Sequence, residues 1–422
     1  MQKINKTKLP NGLVVLSEVL PQARSVSLGL WLRKGSRHEP AELNGISHFI
    51  EHNLFKGTRK RSARQIALEA DLLGGNLDAF TTQEMTAYQI KVLDKHFEAA
   101  FDILADMFTS PTFEENELEK ERSVILEEIK TLEDSPEDYI FELLHENLWP
   151  AHPIGFPITG TISTVKKFNR TKTVDYYNLT YTADNLVVAA AGRLSHDHLL
   201  ELSERYFSDL PSSKIPPKTQ PLPKSHVFHC IKKKMGLEQT HAVLAAEAVA
   251  ATSSDRYACE LLSTILGGGL SSRLFQTVRE THGLAYSIYS SIDTYTDTGY
   301  ISIYMAVANN QLEKALQLVL DEICSMKRNL VAAEELHAAK EQLKSSIMLG
   351  QESVTARMHA LAENELLFGR HIYEEELLQA IDSVSAEEVQ QLAQKIFRPQ
   401  SICSLVLSPK PRGQLDYSYF NC

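Results

Sequence analysis

The segment His48-Phe49-Ile50-Glu51-His52 holds two imidazoles four positions apart with a carboxylate beside the second. On a helix, positions four apart share a face, so His48 and His52 project together and Glu51 stands next to them. Two such imidazoles can reach one zinc ion, and a neighbouring carboxylate can take a proton from a water molecule activated there. The order is H-x-x-E-H, the reverse of the better-known H-E-x-x-H helix. With 15 His in the chain and all 54 acids counted as Glu, chance supplies at most roughly 0.07 such pentads. The pentad alone therefore leaves open a surface helix carrying two solvated histidines.

A zinc site takes a third protein ligand. The segment 114–132 reads as a helix, opened by a capping box of Thr112 with Glu115, on which Glu121, Ile125, Glu128 and Leu132 share a face with Val124. Acids on an apolar face are normally paired or coordinate metal. Glu128 is the candidate ligand, and Glu121, two turns earlier, is placed to orient a histidine from behind. The competing reading makes both of them two of the many acids of a solvated helix.

The elements that must position these residues fall into two similar halves. The segment 211–225 holds five of the chain's 16 prolines, a density that stops helix and sheet alike. It divides a domain over 1–210, which carries the candidate zinc site, from one over 226–422. The first half is expected to contain strands at 26–32, 77–80, 86–93 and 185–191, with helices at 46–54, 63–73, 96–108, 114–132 and 137–148. The second repeats much of this order, with strands at 241–246, 285–291 and 299–306 and helices at 256–266, 272–280, 311–328 and 332–347. An offset of 218 lays Glu117-Leu118 on Glu335-Leu336, and one of 219 lays Leu186-Val187 on Leu405-Val406. The expected fold is α+β, two homologous domains, each a mixed, mostly antiparallel sheet backed by helices. At the 218 offset Glu121 meets Ala339 and Glu128 meets Ser346, and RYACELLSTIL at 256–266 has no histidine. Acids and histidines are missing together, as one metal site per chain requires.

Lys and Arg number 43 against 54 Asp and Glu, a formal charge of −11, which disfavours a nucleic-acid partner. Five cysteines, scattered and without a C-x-x-C, read as reduced thiols rather than a disulfide framework or a cysteine zinc site. The first twenty residues are charged throughout, and the longest apolar runs are too short to span a bilayer. The expectation is a cytoplasmic protein with no membrane partner.

Taken together, these residues resemble the pitrilysin/insulinase family of zinc metallopeptidases, in the short two-domain subgroup that includes the mitochondrial processing peptidase β subunit and its bacterial relatives. The resemblance rests on Gly45 through Thr58, GISHFIEHNLFKGT, and on Glu128, 76 residues after His52, within ERSVILEEI. It extends to LGGNLDAFT at 73–81, HPIG at 152–155, GGGLSSRLF at 267–275, and Arg279 followed by GLAY at 283–286. It implies His48, His52 and Glu128 as ligands of one zinc per chain, Glu51 as general base, and Glu121 as the acid behind a ligand. It further implies that Asp78, Ala79, Phe80 and Thr81 form an edge strand that pairs with an extended substrate. Arg279 and Tyr286 match the family's substrate-contacting pair, with Tyr286 a candidate donor to the developing oxyanion. In the family that pair faces the zinc from the opposite half of a closed chamber, which for a two-domain chain implies a homodimer or a heterodimer with a paralogue. The implied activity is a zinc-dependent endopeptidase that cleaves extended peptides or presequence-like segments inside that chamber. The alternatives are a non-catalytic scaffold or partner subunit, and a metal-binding module without turnover. Asp78, where many members have Asn, and Asn53, after the second histidine, depart from the family pattern.

Overall fold

A computed structural model describes residues 3–150, 152–213 and 223–410, so most of the proline-dense linker, 214–222, lies outside the described residues. The described chain forms two compact units, each built on one sheet. The first sheet takes β1 (Lys3–Lys8), β2 (Val14–Val19), β3 (Ser25–Leu32), β4 (Asn76–Thr81), β5 (Thr86–Leu93) and β6 (Leu186–Gly192) in the order β1-β2-β6-β3-β5-β4. The second takes β7 (His229–Lys233), β8 (Thr240–Glu247), β9 (Ala285–Thr294), β10 (Gly299–Val307) and β11 (Ile402–Ser408) in the order β7-β11-β8-β10-β9. Each has one parallel pair, β2 with β6 and β7 with β11, and antiparallel pairs elsewhere. The sheets share one topology, to which the first adds β1; this is the duplicated α+β fold that the sequence predicts.

Strand position explains strand composition. Every residue of β6, LVVAAAG, is buried, because a central strand covered on both faces needs an unbroken apolar run. β4, at the edge, stays partly open along its length. β1, KINKTK, is also an edge strand, and its polar composition hid it from the hydrophobic pattern.

α1 (Ile46–Leu54), α3 (Phe97–Thr109) and α4 (Glu115–Asp134) bury one face of the first sheet, and α2 (Ala63–Leu72) rests on α3 through Ile66 against Ile103 and Met107. The opposite face is covered by the helix Val354–Phe368, which sets Met358, Leu361 and Ala362 against Val14, Leu16, Trp31, Val187 and Ala189. Trp31 Nε1–H donates to Met358 Sδ at 3.2 Å, and ion pairs of Arg357 with Glu18 and of Lys6 with Glu365 (2.6 Å) hold that helix in place. In the second unit, α5 (Pro136–Leu148) lies on β8 and β11 with Ile140, Leu144 and Leu148 buried. There His145 and Tyr300 share a hydrogen bond of 2.9 Å.

The units are therefore discontinuous: Met1–Thr131, His152–Gln220 and Leu349–His371 form the first, and Leu132–Ala151, Pro221–Met348 and Ile372–Cys422 the second. Relative to halves divided at the linker, two helices have changed places. They begin 218 residues apart, as do α4 and the helix Ala333–Gly350, so the exchange is reciprocal within the repeat. The physical reason is that a sheet has two apolar faces to bury. An amphipathic helix declares that it will bury a stripe without declaring which sheet receives it.

Three local expectations are corrected. The segment 272–280, read as an α-helix, instead winds as a π-helix over Phe275–Thr281. Thr112 turns its hydroxyl to the Gly57 carbonyl (3.4 Å) rather than closing a capping box with Glu115. Cys230, Cys259 and Cys403 are free thiols, whereas Cys324 is disulfide-bonded, which departs from the all-reduced reading.

Candidate metal centre

The helix that carries the pentad starts where only glycine fits. The N-cap of α1 is Gly45 at φ +92°, and a Cβ there would stand 2.6 Å from Gly160 Cα and 2.7 Å from the Thr159 carbonyl oxygen. With no side chain of its own to cap the helix, the chain uses Glu39. Its buried carboxylate accepts the N–H groups of Gly45 and Ser47, each at 2.7 Å, and Asn44 Nδ2 at 3.3 Å. A negative group at a helix N-terminus suits the helix dipole. Gly45→Ala is therefore expected to cost at least about 1–3 kcal/mol from backbone strain, and to loosen the first turn below the histidines. A thermal melt and a zinc titration read both effects.

Burial pushes the Glu39 carboxyl up to about 7 from its ordinary 4.5, against the hydrogen bonds that favour its charge. An acid whose folded pKa is raised loses its proton first in the unfolded chain. Its contribution to stability is complete below pH 4.5 and falls as pH rises toward 7. Glu39→Gln should flatten that part of the stability–pH curve in urea titrations, and an unchanged slope would contradict the assignment.

Within α1 the rings of His48 and His52 stand 4.6 Å apart, centroid to centroid. Their Nε2 atoms each lie 3.7 Å from a different carboxylate oxygen of Glu128, brought in on α4. One potential ligand atom from each of the three residues falls within 4.8 Å of the others. His52 Nδ1 lies 3.2 Å from Glu121 Oε2, whose other oxygen takes Lys56 Nζ at 2.9 Å. An ionised carboxylate can only accept, so Nδ1 carries the proton and Nε2 presents its lone pair. Burial, with His52 alongside, pushes His48 down to about 3, keeping it neutral as a ligand must be. Among the described residues, the buried Glu128 Oε2 has no hydrogen-bond partner. A buried carboxylate oxygen left unsatisfied beside two imidazoles is what a divalent cation would neutralise. The donor set, two imidazoles and one carboxylate, fits zinc.

Glu51 lies on the same helix and is 8% exposed. Its Oε2 accepts the Thr81 hydroxyl at 2.5 Å. Burial raises its pKa to about 7, the Thr81 bond opposes this, and Glu128 and Asp78 add to it. Thr81 ends β4, which among the described residues pairs with β5 only and so leaves one backbone edge without a strand partner. Asp78, Ala79 and Phe80 precede it on that edge strand.

Comparison with known proteins decides the family. The model described as "Insulinase (Peptidase family M16)" matches residues 14–162, and "Peptidase M16 inactive domain" matches 167–343. The chain is 40% identical to the uncharacterized zinc protease YmxG of Bacillus subtilis over 98% of its own length and 99% of the relative's. This chain belongs to peptidase family M16. It is also 38% identical to an uncharacterized zinc protease of Rickettsia felis, over 98% of this chain and 99% of that one. In fold, this M16 chain is similar to a protease from Helicobacter pylori, with a TM-score of 0.89 and 21% identity, over 97% of this chain and all of that one.

The remaining residues of this M16 chain group as follows. Arg279, in the π-helix, and Tyr286, on β9, come together in the second unit, with the guanidinium carbon 5.4 Å from the Tyr286 ring centroid and 4.6 Å from that of Phe275. Tyr286 is 78% exposed, unusual for an aromatic on a strand. Asn53, a departure from the family pattern, is buried, and its Nδ2 donates to the Phe49 carbonyl at 2.7 Å within α1. The sequence reading missed Glu39 and Lys56. Each acts across a turn or loop that no periodicity marks, though Lys56 lies inside the matched GISHFIEHNLFKGT stretch. Among the described residues no helix is long and apolar enough to cross a membrane.

Proposed function

We propose that the chain is a zinc-dependent endopeptidase whose zinc is held by His48, His52 and Glu128 and whose general base is Glu51. The observation that carries this is the convergence of both Nε2 atoms on the Glu128 carboxylate with a hydrogen-bonded Glu51 on the same helix. Bound there, zinc supplies Lewis-acid polarisation of the scissile carbonyl and acidifies the attacking water. Glu121 fixes the His52 tautomer, and Lys56 holds Glu121. Glu51 takes the proton of the attacking water and passes it to the leaving amine, one group serving as base and then acid. Its high pKa in a buried setting suits both tasks.

The open edge of β4 is assigned to an extended substrate, which would add a strand through main-chain hydrogen bonds. Such binding selects unfolded or extended segments, presequence-like ones included, over folded proteins. The Arg279–Tyr286 pair is assigned to the substrate near the scissile bond, supplied by a second chain, identical or paralogous. Family membership and the exposed tyrosine support that assignment.

The test is hydrolysis of a quenched fluorescent, unstructured peptide by the purified chain, with and without a chelator. Cleavage lost to the chelator and restored by zinc is the expected result. Cleavage indifferent to the chelator, or none with zinc bound and a partner chain present, would overturn the reading.

A further inference from the structure

We infer that Thr81 is a positioning residue for Glu51, and that through it the edge strand assigned to the substrate sets the orientation of the general base. The inference rests on the peptidase reading above and adds to it a residue that acts through another.

A carboxylate's terminal torsion is broad and roughly two-fold, so a base on a helix does not by itself fix which oxygen faces the water. Here one oxygen is committed: Glu51 Oε2 takes the Thr81 hydroxyl, leaving Oε1 for proton transfer. The donor comes from a different element, thirty residues on, and its place is rigid. Thr81 pairs with Thr86 across the β4–β5 hairpin, and their hydroxyl oxygens are 3.4 Å apart. The Thr86 hydroxyl, fully buried, donates its own hydrogen to the Lys34 carbonyl at 2.9 Å, so it does not compete for Glu51 and the Thr81 hydrogen is left for that carboxylate.

The turn that follows is clamped as well. Ser36 N–H donates to the Thr82 carbonyl at 3.0 Å, Arg37 N–H to that of Gln83 at 2.9 Å, and Thr82 N–H to that of Met85 at 2.8 Å. Gly35 has no room for a side chain here, since a Cβ would lie 2.2 Å from the Thr82 carbonyl oxygen. The end of β4 is thus pinned to the body of the unit while its outer edge stays open. A peptide that pairs along Asp78–Thr81 tightens the strand whose last side chain holds the base. Base orientation and substrate binding thereby share one element.

The test compares Thr81→Val, isosteric without the hydroxyl, with Thr81→Ser, which keeps it. Readouts are kcat and KM on an unstructured peptide together with zinc content. For T81V the expected result is a kcat about 10–100-fold lower, the range seen when a partner of a site residue is removed, with KM within about twofold and zinc retained. T81S is expected to recover most of the rate. An undiminished kcat in T81V, or equal losses in T81V and T81S, would overturn the inference, the second because packing and not the hydroxyl would be at work. A zinc-loaded wild type that fails to hydrolyse the peptide with a partner chain present would overturn the peptidase reading itself and this inference with it. A T81V failure confined to KM would overturn the positioning role alone.

Discussion

Glu51→Gln is expected to leave zinc bound and to lower hydrolysis by about 10²–10⁴-fold, the usual contribution of a positioned acid–base group. The amide keeps the shape of the side chain and can still accept the Thr81 hydroxyl through its oxygen, so the local fold should hold. It cannot take a proton. Neither His48 nor His52 loses a partner, because Glu121 faces His52 Nδ1 and the Nε2 atoms face Glu128. The fall should appear in kcat, with KM little changed, since the group acts on the water and not on peptide binding. Near-wild-type turnover in this variant would remove Glu51 from the mechanism.

Glu128→Gln is expected to do something different: to lose the metal first and the activity as a consequence. Glu128 is the residue on which both imidazoles converge, and one of its oxygens is buried with no hydrogen bond among the described residues. A neutral amide gives one weaker donor atom and no charge to offset a divalent cation. Zinc affinity should fall by at least about 100-fold, because removing even a partner of a ligand typically costs 10–100-fold. Excess zinc should restore part of the rate in this variant and none in E51Q. That contrast separates a ligand from a base, and full zinc retention in E128Q would show that the third ligand lies elsewhere.

How far the sequence revealed this site depends on distance along the chain. His48, Glu51 and His52 were legible because helical spacing alone puts them on one face. Glu121 and Glu128 were half legible: a helix with acids beside Ile125 on one face is unusual, but only the family resemblance chose Glu128 as the ligand. Glu121 is buried and Glu128 partly so, in keeping with that pattern. The Thr81 hydroxyl on Glu51 was beyond reach, since it depends on how a hairpin lies against a helix. Glu39 was hidden for a similar reason, capping α1 from beyond its first turn. At the level of the fold, repeat and sheet class followed from pattern and offset. The exchange of α5 with the helix Val354–Phe368 did not, because an apolar stripe carries no address.

The proposed mechanism places one zinc between His48, His52 and Glu128. An anomalous difference map recorded at the zinc edge, from crystals grown with one equivalent of zinc, tests it most directly. One peak per chain is expected within bonding distance of both Nε2 atoms and the Glu128 carboxylate, and none at the corresponding place in the second unit. A peak held by other residues, or no peak at these three, would contradict it.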